Sequence, residues 1–289
     1  MTIWQLSKKS IRLYLFMKIY QDHKEDKECF CMGNRIKVKK IDDCIWLMDD
    51  NGEATGYLVC GEKKAAVIDT MNGIEDVHAV VRQITDLPLV VVNTHGHGDH
   101  IFGNVYFDCD CYLHPDDFNI AANSFRRPEV EKYAKEHNLR IPSFKAINNG
   151  DVIDLGGLTL EAVLIPGHTP GGICVLLREK RVLFTGDSIN HHLWMQLDHS
   201  LQLKTFLENL NKISWVTEKA DRILHGHAQG FDDISLFNTL RSGVKELIET
   251  RGNGETRRST DYKWFGGIVK QFPFDDDGSV ICYSEEKLD

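Results

Sequence analysis

Four consecutive aliphatic residues, Leu89, Val90, Val91 and Val92, run directly into the stretch NTHGHGDH at residues 93–100. Bounded by Pro88 and Asn93, the aliphatic run reads as a strand buried on both faces. Its C-terminal end delivers His95, His97, Asp99 and His100 onto one loop. Active sites of layered strand–helix proteins are commonly built at such strand ends. Imidazoles and a carboxylate crowded this closely compete for protons unless a shared positive charge organises them. The chain must therefore form a buried sheet and also bring further ligands to its edge, because this loop alone does not close two metal sites.

Three downstream segments supply such ligands, each at the end of a predicted strand. IPGHTPGG presents His168 in a turn stiffened by Pro166 and Pro170, LFTGDS presents Asp187 after a glycine, and ILHGHAQG presents His227 after Gly226. Imidazole and carboxylate donors suit zinc, and suit iron or manganese less selectively. Each segment alone is weak evidence, but the ordered set is specific. His23, His78, His114, His137 and His199 stand apart from it and read as ordinary core or surface residues.

From Ile36 onward, CIWLMD, TGYLVCG and KAAVIDT read as strands. GIEDVHAVVRQITD sets Ile74, Val77, Val80, Val81 and Ile84 at helical spacing, and residues 115–140 read as polar helix. In the second half, DVIDLGG, LTLEAVLIPG, GICVLLRE, RVLFTGD and DRILHGH are strand-like. SLQLKTFLENLNKISWV and ISLFNTLRSGVKELIET are helix-like. The order predicts a mixed α/β (α+β) chain with two sheets packed together and helices outside. Residues 1–35 read as an N-terminal helical extension, whose apolar run IRLYLFMKIY docks on the body or a partner. Residues 36–251 form the catalytic domain, and residues 252–289 a hairpin-like appendage of it, with KWFGGIVKQFPF and SVICYS as arms around DDDG.

Over residues 36–250 these motifs resemble the metallo-β-lactamase-fold hydrolases. The resemblance implies a four-layer αββα sandwich and two zinc ions per chain, with iron or manganese as alternatives. His95, His97 and His168 would bind the first metal, Asp99, His100 and His227 the second, and Asp187 would bridge both. In HGH the pattern selects the second histidine, leaving His225 as a neighbour. ATGYLV and VIDT are similar to early elements of the family, with Asp69 a structural residue tying loops beneath the metals. The expected activity is zinc-dependent hydrolysis by a hydroxide bridging metals about 3.5–4 Å apart, the pKa of bound water being lowered to about 7. Asp99, a ligand, would also handle a proton.

Asp187 stands where the antibiotic-hydrolysing members commonly carry Cys, so the resemblance leans to thioesterases of the glyoxalase II type and lactonases. The expected partner is a small-molecule acyl substrate, an ester, thioester or lactone. A mononuclear-iron persulfide dioxygenase, or a β-lactamase or phosphodiesterase of the same fold, remains open. In SINHHLWMQLDHSL, His191, His192 and Trp194 are candidate pocket residues, against a reading in which Leu193, Met195 and Leu197 pack while the histidines face water. Tyr106 and Phe125 are candidates for another wall, and Arg257, Arg258 and Lys263 either meet an anionic substrate or form a solvated face.

A net charge of −9 argues against nucleic acid or an anionic membrane surface as partner. The N-terminal apolar run is short, broken by Arg12 and Lys18, and has no small-residue cleavage site. A cytoplasmic location with reduced cysteines is expected, and the C-x-C pairs Cys29/Cys31 and Cys109/Cys111 read as small buried hydrophobes.

Overall fold

The computed structural model describes residues 35–264 and 267–289, so the expected N-terminal helix lies outside the described residues. The first sheet runs β1 (Ile36–Lys40), β2 (Ile45–Asp50), β3 (Thr55–Cys60), β4 (Ala65–Ile68), β5 (Leu89–Val92), β6 (Cys111–Leu113) and β7 (Phe144–Ala146) in spatial as in chain order. It is antiparallel to β4 and parallel from there on. The second sheet begins with β8 (Val152–Asp154), β9 (Thr159–Leu164), β10 (Ile173–Leu177) and β11 (Val182–Gly186). After β12 (His192–Trp194) departs to a third sheet, β13 (Arg222–His225) and β14 (Asp232–Asp233) complete it.

Alternation along the strands sends one set of side chains into the space between these two sheets. Ile45, Tyr57, Val59, Ile68 and Val92 meet Leu160, Ala162, Val175, Phe184 and Leu224 there. The outer face of the first sheet, with Met48, Leu58 and Val67, is covered by Val77, Val80 and Val81 of α1 (Val77–Arg82). Next in the chain come α2 (Gly98–Ile101), α3 (Phe118–Phe125) and α4 (Pro128–Glu136). The outer face of the second sheet is covered by α5 (Leu203–Lys212) and, beyond the short α6 (Val216–Lys219), by α7 (Ser235–Thr250). Helices thus flank both sheets, as the expected αββα order requires.

The elements differ from the sequence reading where caps and prolines intervene. Asp76 accepts from Ala79 N at 2.9 Å, so α1 starts at Val77 and leaves Ile74 outside. The predicted helix over 115–140 breaks before Pro128, which takes the first position of α4 and cannot donate to a preceding turn.

KWFGGIVKQFPF is two strands rather than one arm. β15 (Thr260–Trp264) pairs with β16 (Gly267–Pro273), with Trp264 opposite Gly267. β17 (Val280–Tyr283) then pairs antiparallel with β16 and parallel with β12. Phe272, Phe274, Ile281 and Tyr283 of this third sheet enter the core beside α7. A Cβ on Gly243, inside α7, would lie 2.2 Å from the Cβ of Phe274. Glycine in a helix interior costs about 1 kcal/mol relative to alanine, and this close approach explains its presence.

If the third sheet is core, Ile281→Ala should lower the stability by about 2–5 kcal/mol in urea unfolding. Ile268→Ala, on the same sheet but 71% exposed, should stay within about 0.5 kcal/mol. Equal, small effects would show that the tail only leans on the body.

Candidate metal centre

The strand ends meet at one edge of the sandwich. His95 follows β5, α2 carries Asp99 and His100, His168 sits between β9 and β10, Asp187 follows β11, and His227 follows β13. Two glycines permit this crowding. Gly186 has φ 51°, and a Cβ there would lie 2.3 Å from Thr94 Oγ1. A Cβ on Gly226 would lie 2.6 Å from Asp187 Oδ1.

His97 Nδ1 is 3.0 Å from His95 Nε2 and 3.0 Å from His168 Nε2, so three ring nitrogens converge. In a second group, His100 Nε2 lies 3.6 Å from both Asp99 Oδ2 and Asp187 Oδ2. His227 Nε2 lies 3.3 Å from Asp187 Oδ1 and 3.9 Å from Asp99 Oδ2. Asp187 Oδ2 is also 3.8 Å from His168 Nε2, which places its carboxylate between the groups. Within each group the donor atoms all lie within 4.8 Å of one another.

These donors fit divalent metals. Among the described residues, His100 Nε2 and Asp187 Oδ1 are buried with no hydrogen-bond partner, a costly condition that a cation between them relieves. Burial, reinforced by the neighbouring imidazoles, holds His95 and His97 well below the ordinary histidine pKa, and burial lowers His168 as well. Neutral imidazole is the ligating form. Burial opposes charge on Asp187, but His227 and His100 outweigh it and hold the carboxyl well below the usual range. Burial likewise opposes charge on His227, yet Asp187 and Asp99 raise it to about 9.

The second nitrogen of each histidine is also held. His168 Nδ1 donates to Trp194 O at 2.7 Å and His227 Nδ1 to Glu53 O at 2.9 Å. A carbonyl only accepts, so Nδ1 keeps its proton in both rings and, whenever the ring is neutral as a metal ligand must be, Nε2 is the lone pair facing the cluster. His100 Nδ1 lies 2.8 Å from Asp69 Oδ2, and Asp69 also accepts from Thr94 N at 2.8 Å and Thr94 Oγ1 at 2.7 Å. Asp69 adopts φ 58°, an uncommon conformation for a non-glycine residue, stabilised here by these contacts. It sits beneath the cluster as the sequence suggests.

Two residues escaped the sequence reading. His199, an ordinary histidine by its local sequence, has Nε2 2.7 Å from His97 Nε2. Its loop is held by Lys287 Nζ, which donates to Ser200 O at 2.6 Å and Asp198 O at 3.3 Å. Nothing local marks it, since the two histidines are 102 positions apart. Asp117 is fully buried and accepts from Gly96 N (2.8 Å), Thr169 Oγ1 (2.7 Å) and Gly171 N (2.7 Å), joining the His97 and His168 loops.

His225 turns elsewhere. Its Nδ1 accepts from His227 N at 3.2 Å, so in the neutral ring Nε2 carries the proton toward Asp232 Oδ2 at 3.3 Å. His191 Nε2 meets the other oxygen of Asp232 at 3.1 Å. His191, His225 and Asp232 thus form a hydrogen-bonded bridge, although their atoms cluster as metal donors can.

A cavity of about 1050 Å³ opens over the cluster, lined by His97, Asp99, Asp187 and His227 and also by His191, His192 and Trp194. Leu193 and Met195 pack in the core while Leu197 joins the cavity lining, so both readings of that loop describe part of it. Tyr106 and Phe125 do not line the cavity. Tyr106 donates to Gly73 O at 2.9 Å, and Phe125 packs beneath Phe102. Arg257, Arg258 and Lys263 are not on its wall either, and Arg257 pairs with Glu246 and Asp276.

Residues 50–229 match the family model of the metallo-β-lactamase superfamily, and the chain belongs to that superfamily. It is 22% identical over 237 residues to acyl-coenzyme A thioesterase MBLAC2 of Bos taurus, covering 71% of this chain and 85% of the relative. It is 26% identical over 144 residues to hydroxyacylglutathione hydrolase of Francisella tularensis, a match spanning 50% of each chain. Among solved structures, a metallo-β-lactamase from Pontibacter korlensis superposes with a TM-score of 0.55 at 20% identity, over 73% of this chain and 99% of that one. The last likeness is one of fold.

His199→Ala should weaken zinc binding about 10- to 100-fold in chelator competition, as loss of a residue orienting a ligand does. His199→Gln, which restores a hydrogen-bonding partner, should recover most of it. Unchanged affinity in the alanine variant would remove His199 from the site. Asp117→Ala should cost the metal-free protein about 3 kcal/mol or more in urea unfolding, since buried donors lose their acceptor.

Proposed function

We propose that this chain is a zinc-dependent hydrolase acting on small acyl thioesters, with lactones and simple esters next in preference. The single observation carrying this is Asp187, an ionised buried carboxylate set between two complete donor groups. Relatives named as an acyl-coenzyme A thioesterase and a hydroxyacylglutathione hydrolase support the choice of acyl substrate.

In this reading His95, His97 and His168 would hold one ion and Asp99, His100 and His227 the second, with the Asp187 carboxylate, which lies between the two groups, available to either. When bound, two such ions supply Lewis acidity and bring the pKa of water to about 7. The chain's own residues do the rest. Thr94, Asp69, His199 and the Trp194 carbonyl fix the imidazole orientations. To Asp99, 39% exposed and on the cavity wall, we assign the role of holding a proton during the reaction. Hydrolysis joins water oxygen to the acyl carbon, breaks the C–S bond, and gives a carboxylate and a thiol. A thiolate can leave before it is protonated, whereas an amine needs a well-placed acid.

No helix among the described residues is long and apolar enough to cross a membrane. From the −9 charge we propose a small-molecule substrate rather than nucleic acid or an anionic membrane surface.

Given an acyl thioester, a lactone, a chromogenic cephalosporin and a bis-aryl phosphodiester, the zinc-loaded protein should show its highest kcat/KM on the thioester. A cephalosporin or phosphodiester in first place would overturn the substrate assignment. Asp187→Ala should lose at least about 100-fold activity together with metal, and His225→Ala less than about tenfold. One iron per chain, with oxygen consumed on a persulfide, would select the dioxygenase reading instead.

A further inference from the structure

The third sheet carries side chains that the metal centre does not use. Trp194 leaves β12 and Trp264 ends β15, and their rings pack edge to face with centroids 4.4 Å apart. Both line the cavity and both are only half-buried, as is Phe231, and Phe102 and Leu197 add further apolar residues to the lining of the same cavity. The Trp194 backbone carbonyl holds His168, so this surface begins one residue from a metal-binding imidazole. It is also rigid, because Trp194 pairs with Cys282 on β17 and Met195 N donates to Cys282 O at 2.7 Å.

The charges on the wall say what such a surface does not bind. Arg127 is the one Lys or Arg among the described lining residues, and its guanidinium lies against the Phe102 ring. Glu53, Asp99, Asp187 and Asp232 also face the cavity. A polyanionic group finds little complementarity here apart from the metals. Pockets for drug-sized ligands span about 300–1,000 Å³ and are mostly apolar with a few polar groups. At about 1050 Å³, this one has room beyond the reacting atoms.

We propose that Trp194 and Trp264, with Phe231 and Leu197, form a subsite for the unbranched apolar acyl chain of the substrate, and that the thiol carrier points out of the cavity. This rests on the thioesterase reading and adds the identity of the acyl group, a medium-length hydrocarbon chain rather than a short hydroxyacyl unit. Trp264 is the specificity-determining residue, since it lies outside the two donor groups and, packed against Trp194, extends the cavity wall that Trp194 begins.

The test uses the full-length zinc-loaded protein and straight-chain acyl thioesters of N-acetylcysteamine, from acetyl to octanoyl. The value of kcat/KM should rise about 3- to 4-fold per added methylene, as burial of each CH₂ dictates. In Trp264→Ala the increment should fall below about 2-fold, and in Trp264→Phe it should be intermediate. The octanoyl-to-acetyl ratio is internal to each protein, so a general loss of activity cancels. Calorimetric binding of the straight-chain carboxylates from butanoate to decanoate should show the same increment without turnover. Chain-length-dependent carboxylate binding in a protein that hydrolyses no thioester would keep the subsite and overturn the thioesterase reading. Increments near unity in both series, or an undiminished increment in Trp264→Ala, would overturn the subsite.

Discussion

Asp187 is an ionised carboxylate, buried except where it meets the cavity, and the groups at this edge of the molecule are arranged around it. A lone buried charge of this kind costs several kcal/mol. Here His100 and His227 face it on one side and His168 on the other. Burial lowers the pKa of His95, His97 and His168, whereas the carboxylates raise those of His100 and His227, so the first donor group meets Asp187 as uncharged nitrogens. Neutral nitrogens converging beside an anion make a cage whose natural occupant is a cation. The glycines at 186 and 226 follow from the same demand, since any side chain there would strike Thr94, His100 or Asp187.

The cage needs a scaffold that does not yield. Each metal-facing histidine is tied by its far nitrogen, and the ties come from widely separated parts of the chain: Asp69, Thr94, Glu53, Trp194 and His199. Two of them, Trp194 and His199, depend on the C-terminal segment. β17 fixes β12, and Lys287 grips the carbonyls on either side of His199. The tail therefore contributes to the geometry of the first donor group while its other face builds the cavity wall.

Much of this was legible in the sequence, for a physical reason. His95, His97, Asp99 and His100 lie on one loop, and His168, Asp187 and His227 each sit beside Gly or Pro at the end of an apolar run, so local pattern reports them. Asp69 was likewise marked by the strand it ends. His199 and Asp117 were not legible, because their roles come from contacts 102 and 21 residues away that leave no periodicity behind. The third sheet was half legible. The hairpin arms show β-patterning, but the parallel pairing of β12 with β17 joins segments about ninety residues apart in sequence. Tyr106 and Phe125 were misplaced for the converse reason, since aromatic residues near a site pack beneath it as readily as they line it.

The arrangement stands or falls on whether both donor groups hold an ion in the positions their atoms define. Crystals grown with zinc and measured at the zinc absorption edge give that directly, as peaks in an anomalous difference map. Two peaks are expected. One should lie among His95 Nε2, His97 Nδ1 and His168 Nε2, and the other among Asp99, His100 and His227, with Asp187 in contact with both. A single peak at full zinc loading, or a peak bound by His225 and Asp232 in place of His227 and Asp187, would contradict the assignment.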